Sequence, residues 1–448
     1  MIQTVVPSLS KGTKSVVETL SGGTLRYADG RVGLSLHGVL GSFQSDGDAE
    51  LILGSTEQGP CTLWQAIRTN ATATIFTGDT DTQRSSWSSN YLFVGVHFDD
   101  ADRMLLSEAW FGFQELEAWL ARPAFDLAFE GDATIARHES PPDIVLPIPV
   151  HDAKLRINTA FGSGGNVFQS LTWEQRAAIN LEVVEPRSLR WFLERLDDLR
   201  ALLGLLVGGP VTPTRFTAAT ADPRTLFVVY YSLVGEPSER TLHPAEMMFP
   251  YPRLDEDRLA SVAARWFELQ ENLHVVVALL FGTLYARGLP REFRFLALTQ
   301  ALETYHRRTR PGLYVKPDDY GPVRDALTTA IPAGTDSSLR QALTKRLEYG
   351  NEFALRRRLS DLLKSLGKHS DAITSGPPLE FVEDIVAERN YLTHYPPGEP
   401  EPMTPADCVY SSMRLRALLT LLLLGDVGIA GDEAAEGLRR ARWHRYVN

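Results

Sequence analysis

The sequence predicts an α+β multidomain chain, with an antiparallel β-rich region over residues 1–250 followed by an all-α bundle over residues 251–448. Three observations carry this. Turn-punctuated strand patterns fill the first part, apolar spacing of three and four residues fills the second, and 44% hydrophobic composition over 448 residues leaves ample core for more than one domain. In the first part, Thr24 to Tyr27 and Val32 to His37 flank Ala28-Asp29-Gly30-Arg31, a hairpin signal, and Tyr91 to His97 reads as a further strand. A sandwich or barrel-like sheet is the simplest class for such a pattern. One helix is expected inside it, Ser188 to Leu206, where Leu189, Phe192, Leu196, Leu199, Leu203 and Leu206 share a face. Thr212 to Leu233 then returns to strands. From Asp255 onward, helices are expected over 255–287, 291–308, 321–330, 337–367, 378–395, 405–424 and 432–444.

Composition narrows the chemistry. The net charge of −11 disfavours a general nucleic-acid binder, so any RNA-binding surface must be local. Arg307, Arg308 and Arg310, or Arg356, Arg357 and Arg358, are the candidates. Residues Met1 to Pro7 lack the basic start and apolar run of a signal peptide, and the apolar run Ala417 to Leu424 is shorter than a membrane span. A cytoplasmic protein without a membrane partner is expected. Cys61 and Cys408 are far apart and have no metal-ligand spacing, which suits a reducing compartment. Gly162-Ser163-Gly164-Gly165-Asn166 is not followed by Gly-Lys-Ser/Thr, and Lys11 to Ser15 lacks the upstream glycine of a phosphate loop. Asp99, Asp100 and Asp102 read as a solvated loop. Neither a cofactor nor a metal is expected.

The chemistry-bearing segment is Arg389-Asn390-Tyr391-Leu392-Thr393-His394, near the end of a predicted helix and followed by Pro396-Pro397. One fixed cation and one proton carrier are enough for metal-free cleavage of RNA. Roughly one chance Arg-x4-His match is expected with this many arginines and histidines, and a second occurs at Arg439/His444. That second match lies among Arg440, Arg442 and Trp443 and reads as a solvated basic tail. In the first, Phe381, Val382, Ile385, Val386 and Leu392 form an apolar arc, with Arg389 projected near its middle. A cation there needs a carboxylate or a wet interface. Glu303 is the most economical partner, while His306, on the apolar face of its own helix, reads as a satisfied core histidine. Tyr395 precedes a proline, so the last turn is expected to loosen around His394. The negative end of the helix favours a charged imidazole at that position.

Arg-Asn-x3-His on a late helix of an all-α region resembles the HEPN superfamily. Arg294-Phe295-Leu296-Ala297-Leu298-Thr299-Gln300-Ala301-Leu302-Glu303 resembles the opening core helix of its Apea-like group. The first part, with Leu20-Ser21-Gly22-Gly23 and Glu115-Leu116-Glu117-Ala118-Trp119-Leu120, is similar to the N-terminal domain of ApeA-type bacterial anti-phage proteins. The resemblance implies a HEPN-like bundle acting as a metal-independent endoribonuclease, with tRNA the leading substrate. It implies His394 as general acid or base, Arg389 on the phosphoryl oxygens and Asn390 as an orienting group. A homodimer or higher assembly, and a phage-derived trigger at the N-terminal region, are further implications. Two alternatives stay open: a non-catalytic sensor or scaffold, and the toxin half of a toxin–antitoxin pair. The regulated toxins of that kind carry His-x-Tyr, whereas Tyr395 directly follows His394 here.

Overall fold

The computed structural model describes residues 2–6, 21–28, 30–40, 48–74, 82–98, 100, 103–166, 168–221, 223–231, 241–286, 288–374, 376–395, 398 and 400–441. Lys11 to Ser15, Asp99, Asp102, Pro396, Pro397 and His444 lie outside them. The chain divides into two compact units, Met1–Glu268 and Leu269–Asn448.

The first unit is antiparallel β-structure. Its strands are β1 (Ile2–Val6), β2 (Ser21–Ala28), β3 (Arg31–Leu36), β4 (Asp48–Thr56), β5 (Gly59–Thr74), β6 (Thr82–Val94) and β7 (Leu105–Phe113). They continue as β8 (Phe125–Glu130), β9 (Ala133–His138), β10 (Ile144–Ile148), β11 (Ala153–Asn166), β12 (Ser170–Ser188), β13 (Pro213–Thr220) and β14 (Leu226–Tyr231). The expected hairpin is β2–β3, with Ala28 opposite Arg31 and Gly30 at φ 67°, the positive φ that a two-residue turn needs. Val32, Leu34 and Leu36 alternate inward from β3 onto Leu63 and Trp87. Pairing runs β1–β2–β3–β6–β5–β4 and back to β1, a closed six-stranded barrel. Along one edge β6 pairs first with β3, over Ser85–Ser89, and then with β14, over Tyr91–Val94. That change of partner joins the barrel to a second sheet, β10-β11-β12-β7-β13-β14. After the short α1 (Leu116–Leu120), α2 (Leu189–Val207) packs on β7 and β12; Ser188 Oγ accepts the Trp191 N–H at 3.3 Å, and Gly208, at φ 87°, ends the helix.

The second unit is helical. Helix α3 (Glu256–Tyr285) runs through the division, followed by α4 (Arg291–Thr309), α5 (Pro317–Thr329), α6 (Ser337–Glu348), α7 (Leu355–Ser365), α8 (Asp371–Thr374), α9 (Pro378–His394), α10 (Pro405–Asp426) and α11 (Gly431–Arg440). The single helix expected over 337–367 is instead α6 and α7. Its interruption has a tertiary cause: buried Asn351 bonds both the N–H and the C=O of Val315, and Phe353 N–H bonds Gly312 O. Those bonds outweigh helix continuation. Helix α5 starts earlier than expected because Pro317 sits at its first position, where the missing N–H costs nothing. The core is α4 against α7, α9 and α10. By length and composition α10 could cross a membrane, a point the short run Ala417 to Leu424 understated; 67% of its apolar stretch is buried within the fold.

Candidate active site

Helix α9 carries the Arg-Asn-x3-His segment. Counting about 100° per residue, Phe381, Ile385 and Leu392 define its buried stripe, and the residue that falls between them is Glu388. Glu388 is fully buried, whereas Arg389, one position on, retains 36% side-chain exposure. The expectation that Arg389 lies near the middle of the apolar arc is therefore corrected: Val386 is only half-buried, so the arc is narrower and Arg389 sits on its rim.

On that rim Arg389 has two neighbours. Its Nη2 lies 4.0 Å from Glu303 Oε2 on α4, and its Nη1 donates to Asn390 Oδ1 at 3.0 Å. Glu303 is in turn held by Arg307 Nη2 at 3.1 Å, so its carboxylate spans two guanidiniums. His394 is exposed, and among the described residues no hydrogen bond or ion pair engages its ring. Helical geometry holds through it, placing the imidazole about 140° around the axis and about 7.5 Å along it from Arg389. The expected loosening does not occur, because Tyr395 N–H bonds Tyr391 O at 2.7 Å and closes the last turn. Tyr395 makes that bond in the left-handed region, φ 41° and ψ 59°. For a tyrosine this costs about 1–2 kcal/mol.

The other motif-adjacent residues are placed as follows. His306 is fully buried, its Nε2 3.1 Å from Asp361 Oδ2 and its Nδ1 3.1 Å from Arg358 Nη1. Arginine can only donate, so Nδ1 accepts and the proton sits on Nε2. Burial holds His306 below the usual imidazole range, opposed by its bond to Asp361 and reinforced by the Arg358 charge. Of the arginines considered for RNA, Arg358 is 1% exposed and belongs to this core cluster, a correction to its reading as surface. Arg310 is 3.2 Å from Asp361 and is likewise engaged. Arg307 pairs with Glu303 and Glu352, and Arg356 with Glu383 at 2.5 Å. Arg308 donates to the Asn272 carbonyl and Arg357 lies over the Phe353 ring at 5.3 Å; both are exposed. Arg439, of the second Arg-x4-His match, lies in the last turn of α11.

Glu388 was not singled out from sequence. Its Oε2 accepts the Met403 N–H at 3.1 Å, while Oε1 is buried without a partner among the described residues. Burial raises its pKa, against the lowering effect of that backbone bond. The available signal is its place three residues after Ile385 and four before Leu392 on the stripe. No group of histidine, cysteine or acidic side chains among the described residues is arranged to hold a metal.

Comparison with known families agrees with this architecture. Residues 21–266 match ApeA N-terminal domain 1, and residues 296–433 match the Apea-like HEPN family. No curated protein and no solved structure matches the chain. HEPN domains are generally RNA-binding, dimerising ribonucleases, and the pairing of the two domains supports a nuclease role in anti-phage defence. The N-terminal match alone covers more than half of the chain, which therefore belongs to the family defined by ApeA N-terminal domain 1, here joined to an Apea-like HEPN domain.

Proposed function

We propose that the protein is a metal-independent endoribonuclease that acts on tRNA in abortive anti-phage defence, with Arg389, Asn390 and His394 as its active site. The observation that carries this reading is the state of two side chains near the end of α9: an exposed His394 with no partner among the described residues, and a part-exposed Arg389 steadied by Glu303 and Asn390. An imidazole free of partners can take and return a proton, and a guanidinium held at the rim can meet a phosphate. In the reaction the imidazole of His394 removes the proton of the ribose 2′-hydroxyl, whose oxygen attacks the adjacent phosphorus. The bond from phosphorus to the 5′-oxygen breaks, leaving a 2′,3′-cyclic phosphate, and the departing oxygen takes a proton from an imidazolium. Arg389 stabilises the charge on the phosphoryl oxygens, and Asn390 orients its guanidinium.

Within one chain Arg389 and His394 diverge around α9, and one imidazole cannot readily serve both proton transfers. A two-fold homodimer of the helical unit supplies a second imidazole and a second guanidinium to one cleft. The recognition role falls to the first unit, where Leu127 and Phe129 on β8 and Phe168 beside β12 are 62%, 75% and 90% exposed, apolar surface suited to a phage-derived trigger. The test is incubation of the purified protein with total tRNA in EDTA, with the product ends mapped and the mass measured by light scattering. Cyclic phosphate and 5′-hydroxyl ends from a dimer are expected. Cleavage that EDTA abolishes, or binding without turnover by every assembly of the chain, overturns the assignment, and a strict monomer that cleaves overturns the dimer.

A further inference from the structure

We infer that Tyr395 is a base-stacking platform beside the scissile phosphate, so that the enzyme engages RNA through an unstacked nucleotide; this rests on the reading of His394 as the catalytic imidazole. Residue and backbone conformation are mismatched at this position. The position after a helix that turns left-handed is normally glycine or asparagine, since any larger side chain crowds the following carbonyl. Here a tyrosine occupies it at φ 41°. The following Pro396 disfavours continued helix at this point but does not call for an aromatic ring.

Nor does packing call for one. Tyr395 is 59% exposed and absent from the core. Its one described ring contact is with Tyr391, centroids 5.6 Å apart and planes tilted by 57°, which leaves ring surface open to solvent. The helix cap itself uses only the Tyr395 backbone N–H. A strained backbone that supports an exposed ring, next in sequence to the proposed proton carrier, is the kind of outlier that marks a functional position. Every base presents a π-face, so the exposed Tyr395 ring, backed by the part-buried Tyr391, is a platform on which a flanking nucleotide can stack once it is free of its duplex neighbours. Stacking there would fix the nucleotide at the scissile bond while leaving sequence choice open.

Glycine at this position separates the two roles, because it removes the ring and relieves the backbone. Tyr395→Gly is expected to melt at or above the wild-type temperature. Its KM for total tRNA should nevertheless rise at least about five-fold, with kcat changed less. Tyr395→Phe, which restores the ring without the hydroxyl, should bring KM back to within about two-fold of wild type. A Tyr395→Gly protein with wild-type KM, or one that melts well below wild type, would show that the residue is only a cap or a packing element and overturn the proposal. A second arm does not depend on turnover. In a His394→Ala background, affinity for a labelled short single-stranded RNA is compared with and without Tyr395→Gly. Weakened binding that Tyr395→Phe restores supports the platform, and unchanged binding overturns it. Failure of the wild-type chain to cleave in EDTA would remove the nuclease reading while this binding comparison still decides the platform.

Discussion

His306 and His394 stand in the same helical unit, on α4 and α9, and share nothing but their ring. Both nitrogens of His306 are engaged inside the core, by Arg358 and Asp361, whereas His394 is exposed at a helix end and has no ring partner among the described residues. An imidazole locked between a donor and a carboxylate contributes stability and cannot exchange a proton without breaking a bond. One with free nitrogens contributes little stability and can take up or release a proton as a general base or a general acid. Environment, more than residue type or motif spacing, therefore separates the core histidine from the one proposed for the chemistry.

Replacement of His394 should produce the largest effect on function. His394→Ala is expected to lower RNA cleavage by on the order of 100-fold or more, with a melting temperature close to wild type because no packing is lost. His444→Ala serves as the control and should cleave normally. Equal cleavage by folded His394→Ala protein would remove this histidine from the chemistry.

Arg389 tests the proposed cation on the same helix. Arg389→Lys keeps the charge but loses the planar, two-pronged donor, so cleavage should fall on the order of ten-fold or more. At 4.0 Å from Glu303 and 36% exposed, the pair is worth at most about 1 kcal/mol, and melting should move little. A variant that melts far below wild type yet cleaves normally per folded molecule would make Arg389 a strut and place the catalytic cation elsewhere.

The opposite signature is expected at His306. His306→Ala leaves the Arg358 guanidinium, itself 1% exposed, short of an acceptor and leaves Asp361 to Arg310 alone, which should cost about 2–4 kcal/mol in denaturant unfolding. Cleavage per folded molecule should persist. Large loss of turnover at unchanged stability would make His306, not His394, the histidine that serves the chemistry.

Much of this arrangement is legible in the sequence. The β2–β3 hairpin follows from Asp29-Gly30, α2 from its leucine spacing, and the candidate site from Arg389-Asn390-x3-His394, because each signal is local. What stays hidden depends on contacts distant along the chain. The break between α6 and α7 is set by Asn351 bonding to Val315, and the closure of the barrel by β6 pairing with both β3 and β5 and β1 with both β2 and β4. The burial of Glu388 in place of Arg389 turns on how wide a strip of α9 its neighbours cover, and periodicity alone fixes the direction of a helix face but not its width.

Glu388 carries the smallest effect and the sharpest sign. Burial raises its pKa, so the folded state resists its ionisation more than the unfolded chain does. The wild type is then at its relative best below the usual carboxylate value of 4.5; it loses stability as pH rises from there through the raised folded value and changes no further above it. Glutamine keeps an oxygen to accept the Met403 N–H but never ionises. Glu388→Gln should therefore match the wild type below the usual carboxylate value and melt increasingly above it as pH rises through the raised folded value, with every other titrating group cancelling between the two proteins. Melting curves across that range decide the matter. A difference that does not change with pH would mean Glu388 ionises as easily in the fold as out of it, and an advantage that grows towards acid would mean its carboxylate is stabilised by a cation near α9.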